Sequence, residues 1–89
     1  MIKYLIIDDE HMAHEIIKGY CDLMGDMELQ QHCYDALEAL QYLNAHKVDL
    51  IFLDIHLPKL KGLDFILAWD SDLPPEAQPN VWTSKPIKL

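Results

Sequence analysis

Residues 2–9 read IKYLIIDD, and residues 49–54 read DLIFLD. Each stretch is a short run of mainly apolar, β-favouring side chains that ends abruptly in aspartate. Near-continuous apolar runs of this length are typical of strands in a parallel sheet, because helices cover both faces of such a sheet. The repeated pattern, a buried strand followed by a carboxylate, is the feature on which the fold prediction rests.

The segment after the first strand has the periodicity of an amphipathic helix. Residues 11–24 place apolar side chains four residues apart, and Gly25 follows as a helix-ending residue. The predicted apolar stripe consists of Met12, Ile16, Tyr20 and Met24, with Ala13, Ile17 and Cys21 beside it. A stripe of this kind normally faces the core of the protein.

The remaining segments continue the alternation of strands and helices. A weakly alternating run predicts a second strand, a capping-box pattern predicts the start of a second helix, and two later segments predict a third helix and a fourth strand. These segments are residues 27–34, residues 35–45 starting at Asp35 and Glu38, residues 62–70, and residues 81–83. The order predicts an open α/β sheet of parallel strands with helical crossovers.

Composition limits the classes of function. The chain has 89 residues, of which 51% are hydrophobic and 25% charged, so we expect one globular domain spanning residues 1–89. Fifteen acidic residues against seven lysines and no arginine give a net charge of -8, which argues against direct nucleic-acid binding. Cys21 and Cys33 lack metal-ligand spacing and are too few for a disulfide framework. With no signal peptide or membrane span recognisable, we expect a cytoplasmic protein that does not bind membranes.

Aspartates follow two of the predicted strands. Ligands of open parallel sheets bind at the carboxyl ends of the strands, where the strand order reverses. If the order begins 2-1-3, Asp8, Asp9 and Asp54 converge on one crevice. Their mutual repulsion calls for a cation or a proton, and among cations hard oxygen ligands favour Mg²⁺. The alternative is that an aspartate at a strand end only caps the helix that follows it.

Three further motifs accompany the acids, and together they carry a resemblance. Residues 53–58 read LDIHLP with Gly62 beyond them, and Thr83 and then Lys85-Pro86 follow near the end of the chain. With the IIDDE of residues 6–10, this pattern resembles the receiver domain of bacterial two-component response regulators. The sequences DDE, LDIHLPKLKGLDFI and KPI are most similar to regulators whose output domain is of the LytTR DNA-binding type.

The resemblance implies a fold, a function and roles for individual residues. The fold would be the doubly wound, flavodoxin-like sheet with strand order 2-1-3-4. A sensor histidine kinase would phosphorylate Asp54 in a phosphorelay that regulates transcription through an output domain, and the receiver would catalyse only its own phosphorylation and dephosphorylation. Mg²⁺ would be held directly by Asp9 and mainly through water by Asp8, with Asp54 and the backbone carbonyl of His56 completing the protein's share. Thr83 and Lys85 would contact the phosphoryl group, while Pro58, Gly62 and Pro86 shape the surrounding loops. We expect the other histidines, His11, His14, His32 and His46, at the surface.

The sequence departs from the receiver pattern near its end. Receivers place a fourth helix and a fifth strand between the threonine and the lysine, and a fifth helix after the lysine. Here only Ser84 separates Thr83 from Lys85, and a parallel crossover needs a dozen or more residues. We therefore expect a missing segment between Ser84 and Lys85, a sheet truncated relative to the five-stranded fold, and a homodimer or swapped oligomer that covers the exposed surface.

Two other functions stay open at this point. A truncated or pseudo-receiver could act as a protein-interaction module without productive phosphorylation. A metal-dependent hydrolase with Asp54 as its nucleophile is the third interpretation.

Overall fold

The computed structural model describes residues 1–54 and the backbone of residues 80–83. Its elements are β1 (Ile2–Ile7), α1 (His11–Met24), β2 (Met27–Cys33), α2 (Ala36–Ala45), β3 (Leu50–Leu53) and β4 (Asn80–Thr83). Their order and bounds confirm the predicted alternation to within one or two residues. The predicted helix over residues 62–70 lies outside the described residues.

The four strands form one parallel sheet. Its order is β2-β1-β3-β4, so β1 and β3 lie at the centre, side by side. This confirms the predicted doubly wound, flavodoxin-like arrangement. Non-consecutive neighbours such as β1 and β3 place the reversal of strand order between them, and this is where parallel sheets of this kind bind their ligands.

The two faces of the sheet carry separate apolar clusters. Side chains that alternate along a strand point to opposite faces, so each central strand contributes to both clusters. One cluster lies under α2 and is formed by Leu5, Ile7, Cys33, Ala36, Ala39, Val48, Ile51 and Leu53. The other lies under α1 and is formed by Tyr4, Ile6, Cys21 and Phe52. Because helices cover both faces of the central strands, those strands need the near-continuous apolar runs seen in the sequence.

The apolar stripe predicted for α1 was wrong in its four main residues, whereas Ile17 and Cys21 beside them do face the sheet. Met12, Ile16, Tyr20 and Met24 are all more than half exposed, and the buried residues of the helix are His14 and Cys21. Four residues exceed one helical turn, so a strict four-residue repeat rotates by about 40° at each step and leaves the sheet-facing side. Residues at i, i+3 and i+7 keep to one side. Positions 14, 17 and 21 have that spacing, and they are the ones that meet the sheet.

The helix ends follow the sequence signals. Gly25 ends α1 with φ 78°, a left-handed conformation that glycine adopts without strain. At the start of α2, the backbone N–H of Glu38 donates to Asp35 Oδ1 at 2.8 Å, and the backbone N–H of Tyr34 donates to Glu38 Oε1 at 3.3 Å. The predicted capping box is therefore confirmed, with its return bond one residue before the usual position.

Neither helix of the described segments is long and apolar enough to cross a membrane.

Candidate functional site

Three carboxylates meet at the carboxyl end of the two central strands. Oxygens of Asp8, Asp9 and Asp54 all lie within 4.8 Å of one another. Asp8 and Asp54 are each only 1% exposed, whereas Asp9 is open to solvent. The structure therefore brings together the three acids that the strand-end argument selected.

Backbone hydrogen bonds hold two of these acids just beyond the strands. The N–H of Asp8 donates to the carbonyl of Cys33 at 3.0 Å, and the N–H of Asp54 donates to the carbonyl of Ile7 at 2.9 Å. Both bonds extend the pairing of the sheet one residue past β1 and β3. The positions of the carboxylates are thus set by the sheet and not by a loose loop.

The helix-capping alternative does not explain Asp8 and Asp9, the two aspartates that precede α1. The N-cap residue of α1 is Glu10, and its side chain makes no capping hydrogen bond. Asp8 Oδ1 instead accepts from the backbone N–H of Glu10 at 3.0 Å, which closes a tight turn between β1 and α1. This turn directs the chain away from the sheet and leaves Asp9 exposed at the mouth of the crevice.

The donor set fits a hard divalent cation. Carboxylate oxygens at this spacing repel one another, and burial of two of them strengthens the repulsion because less water screens it. A small cation with oxygen ligands relieves the repulsion, and Mg²⁺ usually keeps several waters while binding one or two carboxylates. The exposure of Asp9 gives such waters access to the site.

Other predicted site residues lie partly or wholly beyond the described chain. The backbone of residue 83 ends β4 and pairs with Leu53, so it reaches the same edge of the sheet as Asp54. Nothing is described of the Thr83 side chain. The predicted roles of His56, Pro58, Gly62, Lys85 and Pro86 concern residues outside the described segments.

Comparison with known proteins decides the family. The sequence pattern of the response regulator receiver domain matches residues 4–76. The chain belongs to the response regulator receiver domain family. Receiver domains are signalling domains, so this receiver is placed among signalling proteins of two-component systems.

One curated relative and two solved structures show which known proteins this receiver is similar to. The transcriptional regulatory protein BtsR of Escherichia coli K12 is 33% identical over 91% of the chain and 32% of its own length. A Burkholderia pseudomallei response regulator with a phosphorylated aspartic acid, a calcium ion and citrate is 28% identical, with a TM-score of 0.70 over 97% of this chain and 49% of the other. CheY6 of R. sphaeroides, in complex with the P1 domain of CheA3, is 25% identical, with a TM-score of 0.71 over 92% and 61% of the two chains. The receiver thus spans about a third of the length of the curated relatives that it matches.

The predicted surface location was wrong for two histidines near the acid cluster. His14 is only 2% exposed, and its Nε2 lies 2.8 Å from the backbone carbonyl oxygen of Asp8. Its Nδ1 lies 2.8 Å from Nδ1 of His32, which is half-buried in the receiver. The ring of Tyr34 lies 4.4 Å from that of His14, measured between centroids. A single row of side chains therefore runs from β2 through α1 to the end of β1.

The sequence did contain a signal for His14. Position 14 shares the i, i+3, i+7 spacing with positions 17 and 21, which face the sheet, although the four-residue repeat of apolar residues is the more obvious pattern. His32 lies on the edge strand β2, where a polar residue is ordinary, and nothing in the sequence indicated its partner. The environment lowers the pKa of His32, first through burial and then through His14, Lys18 and His11 nearby.

Proposed function

We propose that this receiver accepts a phosphoryl group on Asp54 and passes the signal to an output domain. The observation that carries the proposal is the buried carboxylate of Asp54 at the end of a central strand, with oxygens of Asp8 and Asp9 within 4.8 Å. A charged carboxylate that is buried beside two others is energetically unfavourable on its own. A bound cation offsets that cost, so the site is suited to act together with one. The Burkholderia relative with its phosphorylated aspartic acid and calcium ion supports the same use of the site.

Asp8, Asp9, Asp54 and the backbone carbonyl of His56 would hold the cation, which we propose is Mg²⁺. When bound, the ion would neutralise charge on the phosphoryl oxygens and on the cluster itself. Asp9 would bind the ion most readily, because its side chain is exposed to the solvent from which the ion arrives. Asp8, at 1% exposure, would act from a fixed position.

Phosphoryl transfer would proceed by direct displacement. An oxygen of Asp54 forms a bond to phosphorus while the phosphorus–nitrogen bond of the kinase phosphohistidine breaks, and the imidazole nitrogen keeps the electron pair. Little further covalent chemistry is required, so positioning and charge stabilisation dominate. The resemblance assigns this stabilisation to Lys85 as an ammonium and to Thr83 as a hydroxyl donor to the new phosphoryl oxygen.

The partner in this scheme is a sensor histidine kinase. The CheY6 neighbour was solved with the P1 domain of a CheA, which supports a receiver–kinase contact as the kind of interaction expected. The name of the BtsR relative supports an output in transcription. We propose a LytTR-type DNA-binding output and a cytoplasmic location from the resemblance of the DDE, LDIHLP and KPI motifs. The acidic receiver itself would not touch nucleic acid.

We also propose that receiver residues are missing between Ser84 and Lys85. The strand order supports this, because β4 is the last of the described strands at its edge of the sheet. Only one residue separates Thr83 from Lys85, too few for a crossover to another parallel strand. If the purified protein has the mass of the 89-residue sequence, the segment is absent from the protein and from its gene. A larger mass would show that the protein contains the segment.

Phosphorylation is tested most directly by acetyl phosphate in the presence of Mg²⁺. We expect one added phosphoryl mass on the wild-type chain and none on Asp54→Asn. Asp26→Asn, which removes an exposed acid from the turn after α1, is the matched control and should label like wild type. Labelling of Asp54→Asn on another residue would contradict the assignment. Absence of labelling in the wild type would leave the interaction-module alternative, and multiple turnover on a phosphomonoester would indicate a hydrolase.

A further inference from the structure

The carbonyl of Asp8 occupies a special place in the acid cluster. It belongs to the peptide that joins Asp8 to Asp9, so the orientation of this one peptide plane fixes the backbone between two of the three clustered acids. The N–H on the other side of Asp8 is held by Cys33 in the sheet. The carbonyl lies beyond the end of β1 and is held by the Nε2 of His14 at 2.8 Å.

The chemistry of the acceptor fixes the proton on His14. A carbonyl oxygen can only accept, so Nε2 must carry the hydrogen. In the neutral imidazole, Nδ1 then has a lone pair, and the Nδ1 of His32 at 2.8 Å must donate to it. The result is a directed chain of hydrogen bonds, from His32 to His14 to the carbonyl of Asp8.

Burial keeps this row of hydrogen bonds rigid. His14 is 2% exposed, and two neighbouring rings restrict its rotation: Tyr34 at 4.4 Å and His32 at 4.9 Å between centroids. A buried carbonyl without a partner would lose the hydrogen bonds that it makes with water in the unfolded chain, so the native arrangement favours the bonded orientation of the peptide.

We propose that His14 is a positioning residue for the metal-binding cluster, holding the Asp8–Asp9 peptide through Nε2–H, and that His32 holds His14 in the required tautomer. The inference rests on the proposed function, since it assigns a role relative to the cation. It is the arrangement by which partners of metal ligands commonly orient a site, and loss of such partners typically lowers metal affinity about 10- to 100-fold. Neither imidazole needs to touch the ion.

Two amide substitutions separate this role from a general role in packing. In His14→Gln the side-chain amide reaches about as far from Cβ as Nε2 does, so it can still donate to the Asp8 carbonyl. In His14→Asn the amide reaches only the level of Nδ1 and loses that bond. We expect the dissociation constant for Mg²⁺, measured by calorimetry or amide shifts at pH 8, to stay within about threefold of wild type in His14→Gln and to rise about tenfold or more in His14→Asn.

The same logic applies to His32. His32→Asn keeps an N–H donor at the level of Nδ1 and should retain near-normal Mg²⁺ affinity, whereas His32→Leu should weaken it in the direction of His14→Asn. His46→Gln is the control, because His46 is an exposed histidine whose contacts within the described part of the chain are with Tyr42 in α2. Urea unfolding gives the stability of each variant. The comparison shows whether Mg²⁺ affinity depends on the presence of the hydrogen-bond donor or on the stability of the fold. Equal affinity in His14→Gln and His14→Asn, or losses that simply track stability, would overturn the role.

A measurement on the wild type guards against variants that do not fold. Long-range ¹H–¹⁵N spectra should show His14 protonated on Nε2 and His32 protonated on Nδ1 at pH 8. The opposite tautomer at either ring would overturn the inference. A wild-type chain that binds no Mg²⁺ would overturn the proposed metal site together with this role, whereas normal Mg²⁺ binding that is indifferent to His14 would overturn this role alone.

Discussion

The backbone N–H of Asp54 donates to the carbonyl of Ile7 at 2.9 Å, which continues the ladder between β3 and β1 past the last residue of each strand. The residue after Ile7 is Asp8, so this one bond sets two buried carboxylates side by side. The crevice of the receiver is therefore built by strand pairing. We expect its geometry to survive surface substitutions and to fail only when the central strands or their termini are disturbed.

Removal of the exposed acid should weaken cation binding without unfolding the protein. We predict that Asp9→Asn raises the Mg²⁺ dissociation constant about tenfold or more, because one charged oxygen ligand is lost. Stability without Mg²⁺ should stay the same or rise slightly, since repulsion within the cluster falls. Titration followed by amide shifts gives the affinity, and Asp26→Asn serves as the control. An unchanged affinity would exclude Asp9 as a ligand.

Stability should depend on pH through His32. Its pKa is lowered from the ordinary 6.5, mainly by burial, so the folded state binds a proton less readily than the unfolded chain does. The contribution of neutral His32 to stability is thus fully present above about pH 6.5 and is lost as the pH falls through the lower folded-state pKa.

Urea unfolding of wild type and His32→Asn between pH 8 and pH 5 measures this contribution. We expect wild type to lose more stability than the variant over that interval, because the variant has no imidazole at this position to protonate. His46→Asn should behave like wild type. Identical pH profiles for wild type and His32→Asn would contradict the prediction, whatever the acidic groups contribute to both.

Both thiols should be unreactive in the folded receiver. Burial, followed by the charge of Glu38, raises the pKa of Cys33 to about 12, and burial raises the pKa of Cys21. Because the thiolate is the reactive form, we predict slow reaction with a thiol reagent in buffer and rapid reaction in urea. Ala45→Cys, at the exposed end of α2, should react at once under native conditions. Fast native labelling of Cys33 would show that α2 opens far more readily than its packing indicates.

The uncovered side of α1 should promote self-association. Ile16 is 54% and Leu23 84% exposed, and we propose that a second copy of the chain covers this surface. Each 100 Å² of apolar surface buried contributes about 2.5 kcal/mol before association costs, whereas salt screens charge repulsion beyond about 8 Å. We therefore predict an oligomer at micromolar concentration, in spite of the net charge of -8.

Sedimentation in physiological salt checks the association. The double variant Ile16→Lys/Leu23→Lys should shift the protein toward the monomer. Leu37→Lys, at a residue of α2 that is 65% exposed, should leave the oligomer intact. A wild-type mass of 10.3 kDa throughout the micromolar range would contradict the prediction.

The sequence by itself determined the elements, their order and the acids of the site. Runs such as LIFL at Leu50–Leu53 can be satisfied only between two covering layers, and an aspartate directly after such a run must emerge at the carboxyl end of its strand. Gly25 and the Asp35–Glu38 pair specified helix ends for equally local reasons. Such features can be predicted from the sequence because each one depends on residues within a single turn or a single strand.

Tertiary structure decided which side of α1 is buried and what His14 does. The rotation of a helix about its axis depends on the side chains it meets, and a repeat such as Met12–Ile16–Tyr20 carries no information about the sheet. The contact between His14 and His32 joins residues 18 positions apart, on α1 and β2. The carbonyl that His14 holds is a backbone group, which is the same in every sequence, so its need for a donor becomes visible only once the end of β1 has been placed.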